Sequence, residues 1–193
     1  MLSHKGLFTF MNKKLLIFLA VIAFTFGYTI YESMKLDKKL AAQSSIRTGA
    51  IIKSYPKYIK FKDLFDKKVF DQKSIFDGKS KIIVHFWATW CGPCELEFPE
   101  LVELTAKLKG DPSIKFVFVA VNDELKKIQK FLKKFNLEAN TIVLKDDNNG
   151  FKSFGTYKLP ETYIFGADGK VIKKYSGQQA WASDTLVNYF KSL

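Results

Sequence analysis

Short apolar runs and longer amphipathic stretches alternate along the second half of the chain. The runs Ile82–Trp87 and Lys115–Val121 are almost entirely apolar, which is typical of strands covered on both faces of a sheet. The intervening stretches are longer and mix apolar with charged residues, which predicts helices. The predicted helices are Cys94–Lys109 and Glu124–Phe135, the second capped by Asn122 or Asp123.

The C-terminal part continues the alternation. A short strand is predicted at Thr141–Leu144, and a hairpin at Tyr163–Phe165 and Val171–Tyr175, across a turn that contains two glycines. Ser183 is expected to cap a final helix that ends near Leu193. Strands that alternate with helices and end in a hairpin predict a layered α/β sheet.

The region before the first apolar run is more mixed. Lys60–Phe76 interleaves aromatic and charged residues, which predicts one or two short edge strands, and Asp77-Gly78-Lys79 predicts a turn after them. Residues 32–57 begin with a polar stretch and contain Pro56, so we expect a tether there, followed by one domain at 58–193.

The N-terminal region contains a long uncharged segment. Lys13 and Lys14 precede Leu15–Tyr31, which carries no charge and is nearly long enough to span a bilayer. A cleaved signal peptide is the alternative, but the small residues expected at a cleavage site are missing. We expect a cytoplasmic segment at 1–14, a retained anchor in the inner membrane at 15–31, and a domain in the periplasm or an equivalent extracytoplasmic space.

Charge narrows the choice of partners. The 193 residues include 31 Lys and Arg against 19 Asp and Glu, a formal net charge of +12. Such a surface is typical of basic soluble proteins and also suits anionic lipid headgroups or acidic proteins. The lysines are scattered among strands and helices instead of forming one stripe, so no nucleic-acid partner is expected.

The only two cysteines, Cys91 and Cys94, lie in the segment Trp-Ala-Thr-Trp-Cys-Gly-Pro-Cys. The preceding strand places Cys91 at the start of a helix, where free N–H groups and the helix dipole favour a thiolate. Cys94 lies one turn later and can attack a mixed disulfide on Cys91. A structural disulfide would close too small a loop to stabilise much. A structural zinc site lacks ligands, since the only histidines are His4 and His85.

These residues and several downstream ones resemble the membrane-tethered thioredoxin-like family. The resemblance covers about 58–193 and rests on Trp87–Cys94, on Glu97-Phe98-Pro99-Glu100-Leu101 and on Leu159-Pro160. Phe154–Thr162 is similar to the thiol:disulfide interchange proteins that reduce apocytochrome c, and Glu124–Leu144 to an insertion that minimal thioredoxins lack. The resemblance implies a thioredoxin-like fold, with a central mixed sheet flanked by helices, a helix–strand insertion and one N-terminal transmembrane helix.

The resemblance also implies roles for single residues. Cys91 is expected to be the exposed nucleophile and Cys94 the resolving thiol, while a cis Pro160 leaves the Leu159 backbone free to pair with a substrate strand. The remaining residues expected to contact substrate, or to set the turn between the cysteines, are Trp90, Gly92, Pro93 and Glu161. Trp87 is expected either to wall the site or to pack in the core.

Two further residues, Glu97 and His85, are candidates for an acid–base role. Glu97 is expected to exchange a proton with Cys94, the alternative being a solvated surface glutamate. His85 stands where thioredoxins carry a buried aspartate, so it either takes over that role near neutral pH or is a hydrogen-bonded core residue. Trp181 is expected to pack under the last helix.

The expected function is disulfide reduction in apocytochrome c or other exported proteins, with a membrane thiol reductase as the electron donor. The expected reaction needs no organic cofactor and no metal. Two alternatives remain: a general extracytoplasmic oxidoreductase with another client, and a Cu(I) metallochaperone for oxidase assembly. Against the second, copper carriers of this fold usually add a histidine downstream of the cysteines, and no histidine follows His85.

Overall fold

The computed structural model describes residues 13–46 and 52–193, and the chain divides into two units, Met1–Thr48 and Gly49–Leu193. The described part of the first unit is one helix, α1 (Lys13–Ile46). Its stretch Leu15–Ser33 has the length and apolar composition of a membrane span, and none of it is buried within the described residues. Helices of this kind near an N-terminus occur in membrane anchors and in signal sequences alike.

Several predicted boundaries fall partly outside the described residues. The expected cytoplasmic segment 1–14 is described only from residue 13, and the expected tether 32–57 lacks 47–51. The described start of that tether is helical, because α1 continues to Ile46.

The second unit is built on one seven-stranded mixed sheet with the order β2-β1-β5-β4-β3-β6-β7. Strands β3, β4 and β5 are parallel, and the remaining neighbours are antiparallel. The strands are β1 (Phe61–Asp63), β2 (Val69–Phe70), β3 (Lys81–Trp87), β4 (Ile114–Val121), β5 (Thr141–Asp146), β6 (Glu161–Phe165) and β7 (Val171–Ser176). The helices are α2 (Gln72–Ile75), α3 (Gly92–Lys107), α4 (Leu125–Leu132) and α5 (Asp184–Lys191), with a 3₁₀ turn at Gly150–Phe154. The predicted mixed sheet flanked by helices is confirmed.

The domain begins earlier than predicted. Tyr55 is buried, and its ring contacts the rings of Phe76, Phe154 and Phe165. Its backbone N–H also donates to the Gly169 carbonyl. Residue 58 is therefore too late as a boundary, because an aromatic residue in the predicted tether fills part of the core.

Caps on the helices also differ from expectation. The N-cap of α4 is Glu124, which makes no side-chain capping bond, so the prediction that Asn122 or Asp123 caps this helix is wrong. Ser183 does stand at the N-cap of α5, although its hydroxyl makes no capping bond.

Alternating residues of β3 face two separate cores. Ile83 and Trp87 join the apolar cluster under α3, whereas Val84 and Phe86 join a cluster with Phe154 on the other face. Strand β3 ends at Trp87 and the chain enters α3 at Gly92. The carboxyl end of a buried strand therefore positions the cysteine pair, while His85, between Ile83 and Trp87, faces α3.

Candidate active site

Cys91 and Cys94 are bonded to each other at the first turn of α3. Cys91 is the N-cap residue of that helix, and its Sγ accepts the backbone N–H of Cys94 at 3.3 Å. A sulfur at this position receives the positive end of the helix dipole, which favours the thiolate. Cys91 is 6% exposed and Cys94 is fully buried, so Cys91 is the more accessible sulfur but less open than predicted.

The rim of the dithiol is more exposed than the sulfurs. Gly92 and Pro93 are exposed, and Trp90 is 60% exposed. The Trp90 indole N–H donates to the Asn122 carbonyl at 2.9 Å, which ties this loop to the end of β4. Trp87, by contrast, is fully buried against Phe98 and therefore belongs to the core.

An acidic residue that the sequence analysis assigned to a helix cap instead holds the active-site loop. The Asp123 carboxylate accepts both the backbone N–H and the hydroxyl of Thr89. Thr89 lies two residues before Cys91, so Asp123 fixes the turn that leads into the dithiol.

The peptide bond between Leu159 and Pro160 is cis, in agreement with the sequence expectation. Pairing between β3 and β6 ends at Phe86 and Glu161, so Leu159 precedes the paired stretch. Leu159 is half-buried and Pro160 is buried. The Pro160 carbonyl accepts the Gly177 N–H at 2.8 Å, which attaches this segment to the end of β7.

Glu97 lies on the buried side of α3, one turn after Cys94, and is not a solvated surface residue. Its Oε2 accepts the Gln179 backbone N–H at 2.8 Å and the Trp181 indole N–H at 3.0 Å. Its Oε1 has no hydrogen-bond partner among the described residues. Burial raises the pKa of Glu97 to about 7, partly offset by the two N–H donors and reinforced by the charge of Glu100.

His85 is fully buried on β3 and faces Glu97. Its Nδ1 lies 2.9 Å from the Thr162 hydroxyl on β6, and its Nε2 lies 3.6 Å from Glu97 Oε1. Burial lowers the pKa of His85 to about 3, so the imidazole is neutral at physiological pH. A neutral imidazole carries one proton on one of its two ring nitrogens.

Glu161 does not lie at the substrate groove. The prediction of a carboxylate in the substrate groove is wrong, because Glu161 is fully buried and points to the face opposite α3, with Tyr163. It accepts the Ser176 hydroxyl at 2.8 Å and pairs with the Lys174 ammonium at 3.0 Å. The Glu161 carboxylate therefore stabilises the start of β6 and does not meet a substrate.

Sequence reasoning missed three features of this site: the contacts that Glu97 makes with Gln179 and Trp181, and the role of Asp123. Glu97 and Trp181 are 84 residues apart, and nothing in the local pattern links them. Trp181 is buried as expected, but its indole N–H serves the carboxylate as well as the packing. The alternation along β3 was the available signal for His85, because it places this residue on the α3 face.

The described residues contain no group of three or more His, Cys, Asp or Glu side chains that could hold a metal ion. The domain combines a cysteine pair at a helix N-terminus, a buried carboxyl one turn later and a cis proline before β6. The Redoxin family model matches residues 54–190. The chain belongs to the Redoxin family.

Curated relatives resemble the chain over most of its length. A thiol-disulfide oxidoreductase ResA of Bacillus cereus is 29% identical over 181 residues, which cover 92% of this chain and 93% of that protein. The ResA of Bacillus subtilis is 27% identical over 160 residues, covering 82% and 81% of the two chains.

Solved structures agree with the fold. A secreted Mycobacterium tuberculosis disulfide oxidoreductase homologous to E. coli DsbE is 27% identical, with a TM-score of 0.57, and the match covers 70% of this chain and 96% of that chain. A thiol:disulfide interchange protein DsbE from Chlorobium tepidum has a TM-score of 0.61 at 21% identity, over 74% and 98% of the two chains, and shows the fold alone.

Proposed function

We propose that this Redoxin-family protein is a membrane-tethered thiol–disulfide oxidoreductase that reduces disulfides in exported proteins. The observation that carries the proposal is the position of Cys91, whose sulfur caps α3, accepts the Cys94 N–H and is the more accessible of the two. The names of the ResA relatives support the same reaction class.

The reaction begins with the reduced dithiol. The Cys91 thiolate attacks one sulfur of a substrate disulfide, a Cys91–substrate disulfide forms, and the other substrate sulfur leaves as a thiolate. The Cys94 thiolate then attacks Cys91 Sγ. The Cys91–Cys94 bond forms, the bond to the substrate breaks, and the substrate leaves as a dithiol after taking up two protons. The two electrons that reduce the substrate come from the two protein sulfurs.

Glu97 supplies the proton step for Cys94. Cys94 is fully buried, so its thiol needs a nearby base before it can attack. Glu97 lies one turn further along the same buried side of α3, and with a pKa of about 7 it can take the proton near neutral pH. The same carboxyl returns that proton to Cys94 when a donor reduces the disulfide.

The exposed side chain before the dithiol suits a protein substrate. Trp90, the residue before Cys91, is 60% exposed. An extended substrate segment can lie on Leu159 and place its disulfide at Cys91. An exposed aromatic side chain next to a reactive sulfur favours docking of a polypeptide over a small charged thiol.

The client, the electron donor and the compartment belong to the proposal. Apocytochrome c is the proposed client because Phe154–Thr162 resembles the proteins that reduce it. A membrane thiol reductase is the proposed donor, and the helix Leu15–Ser33 the proposed lipid anchor, with the domain outside the cytoplasm. Substrate contacts are assigned to Trp90, Gly92, Pro93, Leu159 and Pro160. No contact is assigned to Glu161.

Trapping of the mixed disulfide tests the proposal on the full chain. Cys94→Ser removes the resolving thiol, so we expect it to accumulate covalent complexes with disulfide-bonded client proteins. Cys91→Ser is the matched control and is expected to accumulate none. A peptide with an oxidised Cys-x-x-Cys-His sequence tests the client, since it should form the complex faster than a scrambled peptide with the same two cysteines.

The outcome that contradicts the reaction is equal trapping by the two variants, or none by either. Alkylation of the reduced protein across a pH series gives a second measurement. Cys91 should react with a thiol pKa below that of an ordinary cysteine, about 8.5. If Cys91 and Cys94 react at equal rates and titrate like free cysteine, the enzymatic assignment is wrong.

A further inference from the structure

Two buried polar atoms face each other beside the dithiol without hydrogen-bond partners. They are His85 Nε2 and Glu97 Oε1, and each lacks a partner among the described residues. The atoms are 3.6 Å apart, and both side chains are fully inaccessible to solvent. Buried polar atoms are nearly always paired, so two complementary unpaired atoms at this separation call for an explanation.

The surroundings decide where protons can lie. Glu97 Oε2 already accepts two N–H groups, so a proton on the carboxyl belongs on Oε1, which faces His85. His85 Nδ1 lies 2.9 Å from the Thr162 hydroxyl, which can accept an N–H. If Nδ1 carries the imidazole proton, then Nε2 has a free lone pair directed at Glu97 Oε1.

This arrangement satisfies every atom of the pair with both groups neutral. Closing the 3.6 Å separation by about 0.7 Å would give an ordinary O–H···N hydrogen bond. The other arrangement puts the proton on Nε2 and leaves Glu97 as a buried carboxylate. Burial disfavours that charge, as the raised pKa of Glu97 and the lowered pKa of His85 both indicate.

We propose that in the oxidised protein His85, protonated at Nδ1, accepts the carboxyl proton of Glu97 at Nε2 and is thereby the positioning residue for proton exchange with Cys94. The catalytic part of this proposal rests on the proposed function, in which the proton on Glu97 is the one taken from Cys94. When the disulfide is reduced, Cys94 leaves as a thiolate, takes the proton from Glu97 Oε1, and the carboxylate that remains is the base for the next cycle.

Other titratable groups near the pair are few. Glu100 on α3 adds negative charge that raises the pKa of Glu97 further, after burial. Tyr175 on β7 packs against Trp181, and Cys91 and Cys94 lie on α3 itself. From β6 the pair meets Thr162, which does not titrate. No lysine or arginine among the described residues is within ion-pairing distance of Glu97.

The test reads the tautomer of His85 directly. The full chain, oxidised and in detergent micelles, is labelled with ¹⁵N-histidine. With two histidines in the chain, a His4→Gln variant assigns the spectrum. At a pH about one unit below the Glu97 pKa of about 7, we expect the proton on Nδ1 and none on Nε2. A proton on Nε2 would overturn the proposal.

Glu97→Gln is the matched variant. Its amide N–H₂ can donate to His85 Nε2 as the protonated carboxyl does, while its carbonyl still accepts from Gln179 and Trp181, so the Nδ1 tautomer should persist. A change from an Nε2 proton in the wild-type protein to an Nδ1 proton in Glu97→Gln would overturn the proposal, since it would mean that His85 donates to an ionised Glu97 in the wild-type protein.

A second variant connects the tautomer to the reaction. Thr162→Val keeps the shape of the side chain and removes the acceptor for Nδ1–H. We expect the attack of Cys94 on the mixed disulfide to slow by about threefold to tenfold, the equivalent of one hydrogen bond, while the first attack by Cys91 is unchanged. Equal effects on both steps, or no effect, would refute the positioning role. Failure of Cys94→Ser to trap a client would instead refute the proposed function and leave the tautomer measurement intact.

Discussion

The two buried glutamates of the domain lie on opposite faces of the sheet and are held in different ways. Glu161, on the face away from α3, pairs with Lys174 at 3.0 Å and accepts hydrogen bonds from Ser176 and Tyr163. Glu97, on the α3 face, has two N–H donors on one oxygen and faces an uncharged histidine with the other. One carboxylate is neutralised by a cation, and the other is not.

Under the proposed function, the same side-chain type serves structure on one face of the sheet and proton exchange on the other. A buried carboxylate paired with an ammonium serves the structure, because removing one partner leaves the other charge buried and uncompensated. A buried carboxylate without a cation has its pKa raised towards neutrality, which suits it to exchange protons near pH 7. Burial alone therefore does not distinguish Glu97, the glutamate proposed to exchange a proton, from Glu161, whereas the partner does.

The largest expected effect of substituting these two glutamates is on the free energy of unfolding. Glu161→Gln removes the charge that compensates Lys174, whose side chain is only 12% exposed, and should lower the free energy of unfolding by about 3 kcal/mol. Glu97→Gln keeps the shape and the hydrogen bonds and needs no proton to stay uncharged, so it should not lower the free energy of unfolding at neutral pH. Denaturant unfolding at neutral pH measures both. Equal losses in the two variants would contradict the assignment of different roles.

The next largest effect is on the reaction rate, and here Glu97→Gln should have a larger effect than Glu161→Gln. Glu97→Gln cannot accept a proton, so the attack of Cys94 on the mixed disulfide should slow at least about 100-fold. Formation of the mixed disulfide at Cys91 should be much less affected. Rapid-quench measurement of the two steps separates them, with Glu161→Gln as the control at a temperature where it remains folded. A slower first step in Glu97→Gln would place the carboxyl in a different role.

The sequence predicted the parts of this site that follow local patterns, and missed the parts that depend on tertiary contacts. The apolar run before Cys91 and the cysteine spacing predicted a strand, a helix and a thiol at its N-terminus. The sequence predicted a functional role for both Glu97 and Glu161, since neither flanking pattern reveals burial or a partner. The Lys174 and Trp181 contacts that separate the two glutamates come from segments that are distant in sequence or on another strand.

The pH dependence of stability sharpens the contrast further. Glu97 keeps its proton in the folded state up to a pKa of about 7 against an ordinary 4.5, so its contribution to stability is complete below pH 4.5 and is lost as pH rises towards 7. His85 has a folded pKa of about 3 against 6.5, so its neutral form makes stability rise with pH across that window. Between about pH 4.5 and 6.5 the two contributions cancel.

Substituting either Glu97 or His85 should leave only the pH dependence that the other residue gives to the free energy of unfolding. Relative to wild type, Glu97→Gln should gain stability with rising pH, and His85→Asn should lose it, each by about 1.4 kcal/mol per pH unit in the shared window. Difference curves against wild type cancel the groups that all three proteins share, including Glu100 and Tyr175. Slopes of the same sign for the two variants would mean that His85 and Glu97 do not titrate as described.

The smallest expected effect comes from Asp123, a half-buried carboxylate whose role also depends on its hydrogen-bond partners. Asp123 accepts two hydrogen bonds from Thr89, and an asparagine there can keep only one carbonyl acceptor, so Asp123→Asn should cost about 1 kcal/mol. Asp111→Asn is the control, because Asp111 also accepts the N–H and hydroxyl of Ser113 but does so far along the chain from the cysteines, with both bonds on its Oδ1. An asparagine there keeps that acceptor oxygen, so Asp111→Asn should lose less stability, and only Asp123→Asn should raise the KM for a protein disulfide, because it releases the turn beside Trp90. If both variants raise the KM equally, the loop contact has no special part in substrate binding, and Asp123 is a structural residue like Glu161.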